Sequence, residues 1–285
     1  MHGKSKALLY LPWIVFFLVR CGPASQPANS GSTTDAPPQI DHEDARPNQV
    51  RRKSQRFDRP AADLTTRPSK VGNQVVCQGP QTKVGTDVSR YDVDTHWNVA
   101  QTSGLSFVFV KATEGVTIVS PLFAGDWQAA KTAGVVRGAY HYFHPSDDPR
   151  EQAQLFLKTV GTLEHSDLPA MLDWETTDRV RPAKQIQRAL IWLEAVEAAT
   201  HKIPIVYVSP AFWNALGNPV AFARFPLFVA HYGVVCPVVP RPWTSWAFWQ
   251  KGSGVLQGMR SPKTNIDLFN GSPMDLARLA SATNP

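Results

Sequence analysis

The hydrophobic positions of this chain follow two patterns, and the change comes near Val84. From there on, short apolar runs recur between polar segments. They are "VGTDVS" (84–89), "SFVFVKA" (106–112), "VVRGAYHYF" (135–143), "PAMLDWE" (169–175), "IPIVYVS" (203–209), "PLFVAHY" (226–232), "SWAFWQ" (245–250) and "NIDLF" (265–269). Helical patterns lie between several of them, at 121–133, 149–160, 182–200 and, more briefly, 211–216. Pro182 opens the third, at a position where a missing N–H costs nothing. Continuous apolar strands alternating with helices predict a parallel sheet covered on its outside. Eight such strands in about 200 residues predict an α/β fold, a small (β/α)-barrel. The later connections are too short for full helices, so the barrel is expected to be modified and irregular there.

Ahead of Val84 the pattern is different. Residues 22–76 are rich in Pro, Ser, Asp, Arg and Gln, with Phe57 their only aromatic residue. Such a segment cannot bury enough apolar surface to offset chain entropy and is expected to be a disordered tether. Its "RRKSQR" (51–56) reads as a solvated charge run. At the start, Lys4 and Lys6 precede an apolar stretch of 13 residues, Ala7 to Val19. A membrane-spanning helix needs about 20 apolar residues, so this stretch fits the apolar core of an export signal instead. Cys21 follows in "FLVRCG", where a bacterial lipoprotein carries its lipidated cysteine, although Arg20 stands where that pattern has a small residue. The alternative is ordinary cleavage near "GPASQ", with Cys21 discarded. The expected organisation is therefore a signal over 1–21, a linker over 22–76 and a catalytic domain over 77–285. The expected location is outside the cytoplasm: secreted, periplasmic, or tethered to a membrane through Cys21.

Charge narrows the function. Residues 1–83 carry 12 Lys+Arg against 6 Asp+Glu, whereas residues 84–285 carry 17 of each. The net +6 belongs wholly to the N-terminal part. A nucleic-acid-binding fold needs its basic face on the folded domain, so that class is set aside. Export would leave Cys77 and Cys236 as an even pair in an oxidising compartment. A bridge requires one of their segments to wrap along the side of the barrel, and two unpaired thiols are the alternative.

Polar residues end nearly every strand: Asp87, Lys111 with Glu114, His141 with Tyr142, Asp173 with Glu175, Tyr207 with Ser209, His231, Gln250 and Asp267. In barrels of this class the C-terminal strand ends form the active face. Asp173 and Glu175, two apart on one strand, share a face at a backbone separation of roughly 6 to 7 Å. Like charge and burial then push their pKa values up and apart, so one can hold a proton while the other stays charged. That suits glycosidic bond cleavage, in which an acid protonates the leaving oxygen and an anion stabilises an oxocarbenium-like centre. Nearby aromatic and imidazole side chains, Trp249 among them, would stack on or hydrogen-bond to sugars. A metal held by the acids with His141 and His231 is the weaker alternative, since no spaced ligand motif is present.

The motifs "GTDVSRYDVDTHWNVAQTSGLSFVFVKATEG", "GVVRGAYHYFHP", "MLDWE", "FWQ" and "NIDLFNG", in this order over about residues 84–283, resemble the glycoside hydrolase family 25 lysozymes, the muramidases of Chalaropsis and bacteriophage type. The resemblance implies a flattened (β/α)-barrel and hydrolysis of the β-1,4 bond between N-acetylmuramic acid and N-acetylglucosamine in peptidoglycan, without a cofactor or metal and as a monomer. It implies Glu175 as proton donor and Asp173 as the residue that orients or charge-stabilises the substrate's N-acetyl group. Asp87 and Asp267 would complete the acidic floor, and Tyr142 would contact the reacting sugar. His141, Tyr207, His231, Trp249 and Gln250 are expected to line the groove. "DVSRYDVD" has Arg90 and Tyr91 where the family often has His with an aromatic, and "NIDLFNG" is shorter than the usual "VDxNxFxG". The rival readings are a peptidoglycan-binding module that has lost catalysis and a hydrolase of another N-acetylated polysaccharide.

Overall fold

A computed structural model describes residues 72–261 and 263–284. The expected signal over 1–21, lipidation at Cys21 and most of the linker lie outside the described residues. Eight strands close into a barrel: β1 (Lys83–Val88), β2 (Leu105–Glu114), β3 (Val136–Tyr142), β4 (Met171–Asp173), β5 (Ile205–Val208), β6 (Leu227–Ala230), β7 (Phe248–Gly254) and β8 (Thr264–Phe269). The helices are α1 (Trp97–Thr102), α2 (Phe123–Thr132), α3 (Pro149–Val160), α4 (Pro182–Thr200), α5 (Pro210–Ala215) and α6 (Pro273–Ser281). Proline stands in the first turn of α3, α4, α5 and α6, where its absent N–H is no loss.

The sheet is not wholly parallel. Strands β1 to β7 run parallel to their neighbours, but β8 is antiparallel to both β7 and β1. No helix separates β7 from β8. The chain turns back directly, and a direct return can only give an antiparallel pair. The reversal places β8 residues in the opposite vertical order to those of the other strands.

Period-two alternation divides the side chains between two cores. Phe107, Phe109, Phe228, Phe248 and Phe269 point inward and fill the lower barrel, with ring centroids 5.1 to 6.1 Å apart in edge and tilted contacts. Gly85 and Gly138 make room for them. A Cβ at Gly85 would lie 2.3 Å from the Phe107 ring, and one at Gly138 2.5 Å from Phe109. Leu276 and Ala280 of α6 join the same cluster. The outward residues Val108, Val110, Ala139, Leu172, Val206 and Val208 pack under the helices with Trp174, Trp192 and Trp213.

Between β6 and β7 no long helix forms, and the chain returns along the flank in extended form. Gln74–Val75 pairs antiparallel with Val238–Val239 there, and the Val76 N–H donates to the Pro237 carbonyl at 3.0 Å. This wrapping brings Cys77 to Cys236, and the two form a disulfide with a Cα separation of 4.4 Å. Asn73 also bonds to Asn214 and accepts from the Arg241 N–H, so contacts with the barrel extend ahead of Cys77.

Candidate active site

A cleft of about 260 Å³ opens at the C-terminal ends of the parallel strands. Nearly every strand contributes: Asp87 and Ser89 from β1 and its end, Lys111 from β2, Tyr140 and Tyr142 from β3, and Met171, Asp173 and Glu175 from β4 and just beyond. Tyr207 comes from β5, Tyr232 from the loop after β6, Gln250 from β7 and Asn265 from β8. A larger hollow of about 440 Å³ lies elsewhere, beside Arg224, Trp243, Trp246 and Asn270, but no carboxylate lines it. Chemistry rather than size singles out the smaller cleft.

The strand carrying the paired acids stops at Asp173. Trp174 turns outward into the core among Phe143, Phe212, Trp213 and Phe222, and its backbone N–H donates to the Tyr207 carbonyl at 3.1 Å. Anchoring Trp174 returns Glu175 to the cleft side. Asp173 is 8% exposed and Glu175 is open to solvent. Burial, then the Glu175 and Asp87 charges, hold the Asp173 carboxyl well above its usual range, with Lys111 opposing. Glu175 is also raised, by burial and then by Asp87, again against Lys111.

Asp87 is partly buried and well supplied with donors. It accepts from Asn265 Nδ2 at 2.9 Å and from Gln250 Nε2 at 2.5 Å. Gln250 in turn accepts from the Tyr207 hydroxyl at 2.8 Å and from the Tyr232 hydroxyl. Burial still leaves the Asp87 carboxyl above its usual range. Asp267 differs. It is fully buried, and neither of its oxygens meets a hydrogen-bond partner. Burial and then the nearby Asp87 charge hold its pKa well above the ordinary value. The phenols of the cleft stay neutral. Burial and then the Glu175 and Asp173 charges push Tyr142 up to about 12.

Several residues expected in the groove are elsewhere, and alternation explains each. Asp267 does not line the cleft. In the reversed strand β8, Asn265 reaches the mouth and Asp267 lies a layer deeper, opposite Gly85 and Gln250. His141 lies between the inward Tyr140 and Tyr142 and so points out. It stacks on Trp192 at 5.4 Å, and its nitrogens meet Thr113 Oγ1 at 2.7 Å and Gln152 Oε1 at 3.0 Å. Burial pushes it down to about 4, which keeps it neutral. Trp249 is fully buried in the outer core and donates to the His231 carbonyl at 2.8 Å. His231 accepts from the Val238 N–H at 3.0 Å and holds its own loop, while the next residue, Tyr232, enters the cleft. With His141 and His231 so engaged, they cannot complete a metal site with the acids. Among the described residues no group of three His, Cys, Asp or Glu side chains is placed to hold a metal ion.

Tyr140, Tyr232 and Asn265 are cleft residues that the strand-end reading missed. Two of them were findable, since Tyr140 is two residues before Tyr142 and Asn265 two before Asp267.

A closed eight-stranded barrel with an acid pair and neutral phenols at its C-terminal mouth is the framework of a glycoside hydrolase. The sequence over residues 86–258 matches the model of glycosyl hydrolases family 25. The chain is 38% identical over 200 residues to the uncharacterized protein YegX of Escherichia coli (strain K12), covering 67% of this chain and 71% of that protein. It is 30% identical over 211 residues to Lysozyme M1 of Streptomyces globisporus, covering 70% of this chain and 71% of that one. Among solved structures, the bacterial lysozyme of Streptomyces coelicolor superposes with a TM-score of 0.68 at 29% identity, covering 71% of this chain and 99% of its own. The protein belongs to glycosyl hydrolase family 25.

Proposed function

We propose that this protein is a muramidase that hydrolyses the β-1,4 bond between N-acetylmuramic acid and N-acetylglucosamine in peptidoglycan, degrading bacterial cell wall. The observation that carries this is the placement of Asp173 and Glu175 in one cleft, the first buried and the second open, both with raised affinity for a proton. Two carboxyls so arranged retain one proton between them. A sugar acetamido N–H donating to Asp173 favours the Asp173 anion and leaves the proton on Glu175. Glu175 then protonates the glycosidic oxygen as the C1–O bond breaks. The acetamido carbonyl oxygen closes on C1, with Asp173 stabilising the positive charge on the acetamido group. Water opens this intermediate, giving its proton back to Glu175. Asp87 adds negative charge beneath the sugar, held by Gln250 and Asn265. Tyr142 and Tyr232 supply neutral hydroxyls at the walls. Relatives that are lysozymes and N,O-diacetylmuramidases support the substrate class. The N-terminal basic and apolar segment supports export to the wall, as secreted protein or through a lipidated Cys21.

The test is turnover of purified cell wall by the protein and by Glu175→Gln. Loss of a general acid lowers turnover by about 100-fold or more, with wall binding retained. A variant keeping more than about a tenth of parental turnover would remove Glu175 from the donor role.

A further inference from the structure

We infer that Asp178 and His144 form a buckle that positions Glu175, and that both are positioning residues for the reaction proposed above, on which this inference rests. The Glu175 carboxyl has no hydrogen-bond partner among the described residues, so only the backbone on either side fixes it. The preceding residue is locked, because Trp174 is fully buried. The following segment is anchored at its far end, where buried Gln185 of α4 donates to the Val180 carbonyl at 2.5 Å, and the turn between must be fixed separately. Thr176 to Val180 is loop, and Asp178 and Arg179 take consecutive left-handed conformations with φ of 44° and 60°. Residues other than glycine hold that conformation at a cost that hydrogen bonds must offset, and aspartate does so most readily because its short side chain can supply them.

Asp178 supplies those contacts. Its Oδ2 accepts from Ser146 N at 3.3 Å and Ser146 Oγ at 3.2 Å and faces His144 Nδ1 at 3.1 Å. Its Oδ1 accepts from Thr176 Oγ1 at 2.9 Å, which ties the hook back to its own loop. The receiving segment is rigid. Buried Gln152 of α3 bonds both the N–H and the carbonyl of His144, at 3.0 and 2.9 Å. Arg188 of α4 donates to the Pro145 carbonyl at 2.6 Å and the Asp147 carbonyl at 3.1 Å. The other face of His144 meets Glu114 at 3.4 Å, and Glu114 is paired with Lys111 of the cleft at 2.6 Å. The loop that carries the acid is thus clasped to two helices through one carboxylate, and a displacement of about 1 Å at a reacting group can cost a factor of about 100.

The contacts ask Asp178 for acceptors of a fixed shape, which an asparagine can supply: its amide oxygen in place of Oδ2, and its amide nitrogen donating to Thr176 Oγ1. The experiment measures kcat and KM on a soluble peptidoglycan oligomer, with melting temperatures, for Asp178→Ala, Asp178→Asn, His144→Ala and the double alanine variant. Expected are a fall in kcat of about 10-fold or more for Asp178→Ala with KM within about 2-fold, at least a third of parental kcat for Asp178→Asn, and a double variant little worse than Asp178→Ala because both remove one clasp. If Asp178→Ala fails to fold, His144→Ala carries the test from the other side of the contact, with a smaller fall in kcat expected. Retention of more than half the parental kcat by both alanine variants, a loss confined to KM, or fully additive losses would overturn the buckle. A parent protein that leaves the oligomer intact would instead overturn the muramidase reading.

Discussion

Asp267 sits one layer below Asp87 in the barrel, opposite Gly85, and its buried carboxyl meets no hydrogen-bond partner. Asp87 accepts from Asn265 and Gln250, and its charge adds to burial in raising the Asp267 pKa.

Replacing Asp267 separates shape from charge. Asp267→Asn keeps the buried shape without the titrating group and should retain turnover within about 3-fold, whereas Asp267→Ala leaves a cavity in the layer beneath Asp87 and should lose about 10-fold or more. Stability carries a second signature. The folded-state pKa of Asp267 is raised, so its contribution is full below the ordinary carboxylate range and is lost as pH rises through the raised value. The parent's melting temperature should therefore fall as pH rises above the ordinary carboxylate range, and Asp267→Asn should flatten that slope. Parallel slopes in parent and variant would show that Asp267 does not hold the proton.

Lys111 opposes the raised pKa values of Asp173 and Glu175. Removing its cation in Lys111→Gln should raise both, so that the acid stays protonated to higher pH. The alkaline limb of the kcat–pH profile should move up. A limb that stays in place or moves down would show that the limb does not report on this pair.

The Cys77–Cys236 bridge closes a loop over a sequence separation of 159 residues. In the chain-entropy model such a loop is worth roughly 4 to 5 kcal/mol. The double serine variant should melt lower and keep its turnover at temperatures below the transition. Non-reducing peptide maps of protein from an oxidising compartment should contain the linked pair. Alkylation of both thiols without prior reduction would contradict the bridge.

Much of this was legible in the chain. All eight strands and the four helical patterns lie where apolar runs and proline placed them, because continuous burial writes itself into sequence. The six-residue α1 is too short to show a helical period. Helix α6 was missed although "SPMDLARLAS" opens with Ser272 and Asp275 in a capping box. The groove was read too generously at His141, His231 and Trp249, which occupy the outward positions of the strand alternation. The depth of Asp267 was hidden for another reason. Its layer depends on β8 running backwards, and the direction of a strand is set by a connection that the strand's own residues do not encode.

The most direct measurement is mass spectrometry of the fragments released from defined, purified peptidoglycan. Cleavage by the Asp173–Glu175 pair at the proposed bond should yield soluble fragments whose new reducing ends are N-acetylmuramic acid, and Glu175→Gln should release almost none. Fragments ending in reducing N-acetylglucosamine, or intact glycan strands after prolonged incubation with folded protein, would contradict the account.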